Sequence, residues 1–214
     1  MFSLRLAEMK YRFISEAHGP HVKIIRHVGG GRRILDIGCV TGYLAEKLTE
    51  KGNEVYGIEV DSEAAMEARK YCKDVLVADV ESLEELPYPE KFFDIVICAD
   101  VLEHLREPNR VLRMLKRYMR PEGLLIVSLP NIAYWHTRLN LLLGKFDYEE
   151  VGIMDRTHLR FFTIKTGKEL IERCGFKIIK VEYCGWAMEY FPLKLFPTWF
   201  AYQFVIVSKP IQVR

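Results

Sequence analysis

Acidic residues recur at the ends of successive apolar segments in the first half of the chain. Asp36 lies in the first of these segments, Glu59 closes the second and Asp79 closes the third. Such segments are typical of buried strands, and the carboxyl ends of parallel strands meet at the ligand-binding edge of an open α/β sheet. Because a carboxylate favours positive charge nearby, the spacing predicts a small-molecule site for a cationic ligand.

A glycine turn follows the first strand. Gly38 and Gly42 are four positions apart, whereas the dinucleotide-binding pattern G-x-G-x-x-G has a closer spacing, so an oxidoreductase that uses NAD is disfavoured. Gly38 lets the backbone approach a ligand closely, and Gly42 tolerates the tight entry into the next helix. Val40 lies between them, and a β-branched residue resists positive φ. We therefore predict ordinary backbone dihedrals at Val40.

Glu59 has the clearest predicted role among the acids. It stands 23 positions beyond Asp36, at the end of the second strand, where an acid is placed to accept hydrogen bonds from both ribose hydroxyls of a bound nucleoside. Asp61 fits better as the cap of the following helix. Asp79 either contacts the ligand or caps a short helix that we predict over residues 82–86.

These motifs, in order, resemble those of the class I S-adenosylmethionine-dependent methyltransferases: Asp36-x-Gly38, Glu59, Asp79 and the run Phe93-Asp-Ile-Val. The usual first motif of that family is D-x-G-x-G-x-G, and a valine replaces its middle glycine here. The resemblance implies S-adenosyl-L-methionine as the cofactor and S-adenosyl-L-homocysteine as the product. The cofactor-binding residues that it implies are Asp36, Gly38, Cys39, Gly42, Glu59, Val60, Asp79, Val80, Ala99 and Asp100.

The resemblance also implies the fold, a Rossmann-like three-layer α/β sandwich whose seven-stranded sheet is mostly parallel with an antiparallel last strand. The pattern of the chain agrees, because strands alternate with helices as far as residue 130, which favours a parallel sheet with right-handed crossovers. We expect one domain over residues 1–214, with N-terminal helices over 1–30. The last strand, predicted over 199–207, inserts between the fifth and sixth strands in the resembling family.

Residues 131–162 interrupt this alternation and collect polar and aromatic groups. The segment follows the fifth strand and so lies near the carboxyl edge of the sheet, where loops on a rigid scaffold commonly carry recognition. We predict that this insertion contacts the acceptor of the reaction. The predicted acceptor-binding residues are Asn131, Arg138, Asp155, Arg156 and Arg160.

Two histidines of the insertion are the catalytic candidates. His158 is the side chain best suited to take a hydroxyl proton near neutral pH, and His136 is the second candidate. The alternative is that Asp155, Arg156 and His158 form a hydrogen-bonded knot that holds the insertion against the sheet.

The segment from Asp155 to Thr163 also resembles bacterial methyltransferases related to ubiquinone-biosynthesis O-methylases and to enzymes acting on cell-surface sugars. This resemblance implies methyl transfer to a small-molecule or sugar acceptor, with O-methylation favoured, and it leaves the identity of the acceptor open. The competing hypothesis is a non-catalytic S-adenosylmethionine-binding or scaffold protein that keeps the same fold.

The bulk composition argues against several classes of partner. The formal net charge of +2 comes without an extended basic stripe, so we expect no nucleic-acid partner. The five cysteines form no C-x-x-C pair and have no metal-ligand spacing with the histidines. This pattern favours reduced thiols in a cytoplasmic protein, without a bound metal.

Glu103 and His104, which follow the fourth strand, are predicted to be structural.

The apolar segments predict no stable membrane insertion. The longest, Trp199 to Val207, is too short to cross a bilayer, and charged residues interrupt the N-terminus, which lacks the apolar core of a secretory signal. Four aromatic residues near the C-terminus have three interpretations: the wall of an acceptor pocket, the seam of a homodimer or, least favoured, a contact with a membrane. They are Tyr183, Trp186, Tyr190 and Phe191.

Overall fold

Seven strands form one sheet with helices on both of its faces. The computed structural model describes residues 18–212. Its strands are β1 Arg33–Ile37, β2 Glu54–Glu59, β3 Asp74–Val77, β4 Phe93–Ala99, β5 Met119–Pro130, β6 Phe176–Cys184 and β7 Gln203–Pro210. The strand order across the sheet is β3-β2-β1-β4-β5-β7-β6.

The helices of the described residues are α1 Pro20–Val28, α2 Tyr43–Thr49, α3 Ser62–Ala68, α4 Pro108–Tyr118, α5 Trp135–Leu142, α6 Ile164–Arg173 and α7 Pro197–Phe200. Local sequence explains several of their starting points. Thr163 and Thr166 form a reciprocal capping box at the start of α6. Proline occupies the first turn of α1, α4 and α7, where its missing N–H has no helical partner to lose.

The order in which successive strands join the sheet reverses beside β1. This strand pairs in parallel with β2 on one side and with β4 on the other, so the strand order reverses at that point. Such a reversal opens a crevice at the carboxyl ends of the strands. At the other end of the sheet, β7 runs antiparallel to both β5 and β6. The predicted seven-stranded sheet with an inserted antiparallel last strand is thus confirmed.

Alternate side chains of the central strands feed two apolar cores, one on each face of the sheet. Leu35 of β1 packs in the core that includes Leu112 of α4 and Ile171 of α6. Its neighbour Ile34 packs in the opposite core, which includes Leu48 of α2. Burying each aliphatic side chain of this size contributes about 1.5–3 kcal/mol, so both helix layers hold the strand ends in fixed positions. This arrangement is the predicted three-layer sandwich.

The predicted helix over residues 82–86 is wrong. Only Val80–Ser82 forms a 3-10 turn, and residues 83–86 follow without helix, with bends at 84 and 85. This irregular path buries Leu86 and lets its N–H donate to the Tyr118 hydroxyl at 2.7 Å. The burial of Leu86 against α4 therefore outweighs the helical propensity of this segment.

The last strand starts later than predicted. It begins at Gln203 rather than at residue 199, because Pro197 starts the short helix α7. Of the N-terminal helices predicted over residues 1–30, the part up to residue 17 lies outside the described residues. The helix α1 lies in the described part. Among residues 18–212, no helix combines the length and the apolar character needed to span a membrane. All five cysteines are buried and free.

Candidate functional site

A cleft of about 650 Å³ lies at the carboxyl ends of β1, β2 and β4, at the point where the strand order reverses. Its lining carries far more acidic than basic groups. The carboxylates are those of Glu59, Asp61, Asp79, Glu81 and Asp100, and the lining guanidinium is that of Arg106. A cleft with this charge favours a ligand that carries positive charge, as the sequence predicts.

The glycine turn after β1 forms one wall of the cleft. Gly38 lines it with φ of +69°, and a Cβ at this position would lie 2.7 Å from Cγ2 of Val101. Both the dihedral angle and the close approach require glycine. Val40 also lines the cleft, with φ of 48°, so the prediction of ordinary dihedrals there is wrong. The turn holds Val40 in this conformation because its N–H donates to Glu59 Oε2 at 2.9 Å.

Glu59 is the most rigidly held acid of the cleft. Its Oε2 accepts the hydrogen bond from Val40, while its Oε1 accepts from the backbone N–H groups of Val60 and Asp61, each at 2.9 Å. Three backbone donors thus fix a carboxylate that is almost fully buried and still lines the cleft. Charge-assisted bonds of this kind are the strong ones. They present the carboxylate in one orientation to whatever occupies the cleft.

Asp61 and Asp79 both cap the turns that follow their strands. Asp61 accepts hydrogen bonds from the N–H groups of Glu63 and Ala64 at 2.8 and 3.0 Å, which is the predicted helix cap. Asp79 accepts from the N–H of Glu81 at 2.9 Å and also lines the cleft. Capping and ligand contact are therefore compatible at Asp79, and its predicted contact with the ligand stays a prediction.

Asp100 closes the cleft at the end of β4. It takes φ of 55°, and its Oδ1 accepts hydrogen bonds from the Ser128 hydroxyl at 2.8 Å and from the Gln203 side-chain amide. Burial raises the pKa of Asp100 above its usual range, against the effect of these two donors. The predicted contact residues Val60, Val80 and Ala99 also line the cleft.

Asp36, Cys39 and Gly42 lie behind the lining of the cleft. Asp36 is 2% exposed, and burial, together with the nearby charge of Glu59, raises the pKa of Asp36 to about 8. Cys39 is also buried, and Gly42 is the N-cap residue before α2, with φ of 78°. These residues support the turn from beneath, and their predicted contact with the cofactor stays a prediction.

Replacing Asp36 by asparagine should remove a pH dependence of folding. The folded-state pKa is raised, so between about pH 4 and 8 the folded protein holds a proton that the unfolded chain has lost, and stability falls as pH rises. The slope reaches about 1.4 kcal/mol per pH unit. Urea unfolding at a series of pH values should therefore show that the free energy of unfolding of Asp36→Asn increases relative to that of the wild type as pH rises. A constant difference between the two proteins would contradict a buried, protonated Asp36.

His21 lines the cleft, although the sequence predicted no role for it. It lies in the first turn of α1 and packs against Tyr43, with the two ring centroids 5.1 Å apart. Burial lowers the pKa of His21 to about 4, so the imidazole is neutral at physiological pH. The sequence predicted only that residues 1–30 contain helices, which does not single out any position in them for the site.

The insertion is held by its own hydrogen bonds. Asp155 Oδ1 accepts from both the N–H and the hydroxyl of Thr157, at 2.8 and 2.6 Å. The His158 Nδ1 lies 3.1 Å from the Ile153 carbonyl oxygen, to which it donates. Arg156, by contrast, is exposed and pairs with Glu150 at 2.6 Å. Asp155 and His158 therefore take part in hydrogen bonds within the insertion, as the alternative interpretation predicts. The Arg156 side chain does not.

The other predicted acceptor residues bind backbone carbonyl groups near the insertion. The Asn131 amide donates to the Ala201 carbonyl at 2.8 Å. The Arg138 guanidinium donates to a backbone carbonyl and lies 4.2 Å from the centre of the Trp199 ring. Arg160 donates to the carbonyl of Arg106 at 3.0 Å. The structure places these side chains around the insertion and outside the lining of the cleft.

The two predicted catalytic histidines occupy different places. His136 is exposed and lines a separate cavity of about 130 Å³ with Tyr134 and Tyr202. His158 is buried beside the cleft, and its ring centroid lies 4.7 Å from that of His104, which lines the cleft. Of the two, His158 is therefore the one that the structure brings near the cleft.

The aromatic residues near the C-terminus are largely exposed. Trp186 and Tyr190 are 56% and 57% exposed, and Phe191 is 73% exposed. None of these three side chains lines the cleft described above. A surface of this kind suits contact with another molecule, and the homodimer stays a prediction.

The chain is similar in sequence to proteins of one family. A family model described as a methyltransferase domain matches residues 13–181. A probable S-adenosylmethionine-dependent methyltransferase of Mycolicibacterium smegmatis is 28% identical over 173 residues, which cover 81% of this chain and 62% of that protein. A ubiquinone biosynthesis O-methyltransferase of Alkalilimnicola ehrlichii is 36% identical over 107 residues, which cover 47% of this chain and 42% of that protein. The matched region thus spans 42% to 62% of the length of these two curated relatives.

A solved structure shares the fold. An S-adenosylmethionine-dependent methyltransferase from Aquifex aeolicus aligns with a TM-score of 0.65 at 19% sequence identity, and 97% of each chain is covered. At this level of identity the similarity establishes the architecture of the sheet and its helices.

Proposed function

The chain belongs to the methyltransferase-domain family, and from this membership we propose that it transfers a methyl group from S-adenosylmethionine to a hydroxyl group of a small-molecule or saccharide acceptor. The observation that carries the proposal is the acidic cleft beside the glycine turn. Within it, Glu59 accepts three backbone hydrogen bonds and lies at the strand end where a nucleoside ribose is expected.

The residues of the cleft fit S-adenosylmethionine. A volume of about 650 Å³ falls within the range of ligand pockets, roughly 300–1,000 Å³. Five lining carboxylates complement a ligand that carries both a sulfonium and an ammonium group. Gly38 keeps its wall free of a side chain, so a ligand can lie against the backbone.

When bound, S-adenosylmethionine supplies a methyl carbon that its sulfonium has already activated for displacement. The chain's own task is then to bind the nucleoside, align the acceptor and exclude water. In the proposed arrangement Glu59 accepts hydrogen bonds from the ribose hydroxyls and Asp79 accepts one from the adenine amino group. Ala99 and Asp100 lie beside the methionine part of the cofactor.

A hydroxyl acceptor needs a group that removes its proton. His158 Nδ1 donates to the Ile153 carbonyl, so the basic atom of the ring is Nε2. The rings of His158 and His104 are in contact, so in this proposal the base lies one side chain away from the cleft. The O-methyltransferase name of the relative from Alkalilimnicola ehrlichii supports a hydroxyl acceptor. The positions of the insertion and of His158 support an acceptor on that side of the cleft.

Replacing His158 by alanine should lower turnover about 10²–10⁴-fold, the usual contribution of a positioned base, and should leave cofactor affinity within about twofold. The measurement is transfer of a labelled methyl group to a panel of phenols and sugars, with calorimetry for the cofactor. His27→Ala is the matched control. His27 lies on α1, pairs with Glu182 of β6 at 2.7 Å and does not line the cleft.

One observation favours the alternative of a non-catalytic cofactor-binding protein: neither predicted base lines the cleft itself. The same experiment separates the two functions. Binding of the cofactor without methylation of any acceptor in the panel would favour the alternative. Turnover that survives His158→Ala unchanged would leave that histidine a structural residue.

A further inference from the structure

A buried acid beside the cleft lacks hydrogen-bond partners. Glu103 lies in the 3-10 turn Leu102–His104 that follows β4 and is 1% exposed. Among the residues that the structure describes, neither of its carboxylate oxygens has a hydrogen-bond partner. An uncompensated buried carboxyl group is costly, and such a group calls for an explanation such as a bound ion.

Two histidines face this acid from different parts of the chain. One ring nitrogen of His104, one of His158 and one carboxylate oxygen of Glu103 all lie within 4.8 Å of one another. Ligands around a tetrahedral zinc ion lie ~3.3 Å apart, since each bond is about 2.0 Å long. Small rotations of the side chains would therefore bring the three donors onto one ion.

The backbone sets the tautomer of both rings. His104 Nδ1 lies 3.1 Å from the carbonyl oxygen of Thr157, and His158 Nδ1 lies 3.1 Å from that of Ile153. A carbonyl oxygen only accepts hydrogen bonds, so each Nδ1 carries the proton and each Nε2 carries the lone pair. Histidines that bind metals in proteins are oriented in this way, with the other ring N–H donated to a carbonyl or carboxylate.

We propose that Glu103, His104 and His158 form a binding site for a divalent first-row transition metal ion, with Zn²⁺ the best fit. Two imidazoles and one carboxylate are the protein ligands of open, three-ligand zinc sites, which keep a position for water or substrate. Mg²⁺ and Ca²⁺ prefer ligand sets made of oxygen atoms, so the two nitrogen donors disfavour them.

Backbone hydrogen bonds hold the two parts of the site together. The N–H groups of Leu159 and Arg160 donate to the carbonyl oxygen of Glu103 at 2.9 and 3.0 Å. They join the segment after β4 to the segment that carries His158. The three ligands are therefore placed by the fold before any ion binds, which is what a metal site needs for affinity.

The role of the ion rests on the proposed function. His104 lines the cleft, so an ion bound to its ring lies at the cleft wall. There it would bind the acceptor hydroxyl and make that group more acidic. With the ion bound, His158 would be one of its ligands in place of acting as the base. The proton of the more acidic hydroxyl would pass to water, while the acceptor oxygen takes the methyl carbon and the C–S bond of the sulfonium breaks to leave S-adenosylhomocysteine.

Titration of the metal-free full chain with Co²⁺ tests the site in the absence of cofactor and acceptor. We expect one equivalent to bind with a visible absorption band, and Zn²⁺ to displace it. Glu103→Gln and His158→Gln should each weaken Co²⁺ binding at least about 100-fold. His27→Gln, which removes a histidine beside a carboxylate elsewhere, should leave the affinity unchanged.

A second readout guards against variants that do not fold. Zn²⁺ should raise the melting temperature of the wild type and of His27→Gln, and much less that of His158→Gln. Absence of stoichiometric binding to the wild type would overturn the proposal, and so would equal binding to a folded Glu103→Gln or His158→Gln. Because neither assay contains S-adenosylmethionine, these results leave the proposed methyl transfer to be judged by its own assay.

Discussion

Replacing Glu59 by alanine should weaken the binding of S-adenosylhomocysteine at least about 100-fold. Two hydrogen bonds from ribose hydroxyls to a carboxylate are worth about 1.5–3 kcal/mol each, and each 1.4 kcal/mol is a factor of ten in affinity. The variant also removes the acceptor of the N–H groups of Val40, Val60 and Asp61, so the turn loses its anchor. Calorimetric titration of both proteins with the product measures the change.

Glu54 supplies the control for this experiment. It lies at the opposite end of the same strand, pairs with Lys73 at 2.7 Å and does not line the cleft. Glu54→Ala should bind the product within about twofold of the wild type. Thermal melting of both variants verifies that they fold. Equal affinities for a folded Glu59→Ala and for Glu54→Ala would remove Glu59 from the binding site.

Replacing Gly42 by alanine should destabilise the fold by about 3 kcal/mol. The residue has φ of +78°, and its new Cβ would lie 2.9 Å from the Cα of Ala68 in α3. The left-handed conformation costs an L-residue about 1–2 kcal/mol, and overpacking a close contact costs about 1–3 kcal/mol more. Urea unfolding gives the free energy of unfolding for the variant and the wild type.

Gly144 separates these two costs. Its φ is +76°, yet an added Cβ would meet nothing within 4 Å. Gly144→Ala should therefore cost only the conformational part, about 1–2 kcal/mol. If the two alanine variants lost the same stability, the packing of the glycine turn against α3 would contribute nothing.

The sheet was predictable because its signals are local. Apolar runs, glycine turns and helix caps such as Asp61 and Thr163 lie within a few residues of the structure that they determine, and their alternation favours a parallel sheet. The inserted position of the last strand came from the family resemblance. The predictions that failed depend on distant partners. Residues 83–86 form no helix because Leu86 is buried and its N–H donates to the hydroxyl of Tyr118, which lies far along the chain.

The ends of the central strands were predictable as a site, whereas their detailed roles were not. The positions of Glu59 and Asp79 along the chain already indicated a shared edge. The positive φ of Val40 depends on its hydrogen bond to Glu59, which a rule about β-branched residues does not include. The convergence of Glu103 with His158 requires the folding of the insertion onto the turn after β4. No spacing in the sequence records that contact.

Hydrogen exchange of the wild type with and without S-adenosylhomocysteine reports where the ligand binds, and so it tests whether the strand ends form the cofactor site. We expect one-to-one binding that slows exchange at the backbone amides of residues 38–40, 59–61 and 79–81, which lie at three neighbouring strand ends. Binding without protection of these segments would contradict the account, and so would the absence of any change at saturating ligand.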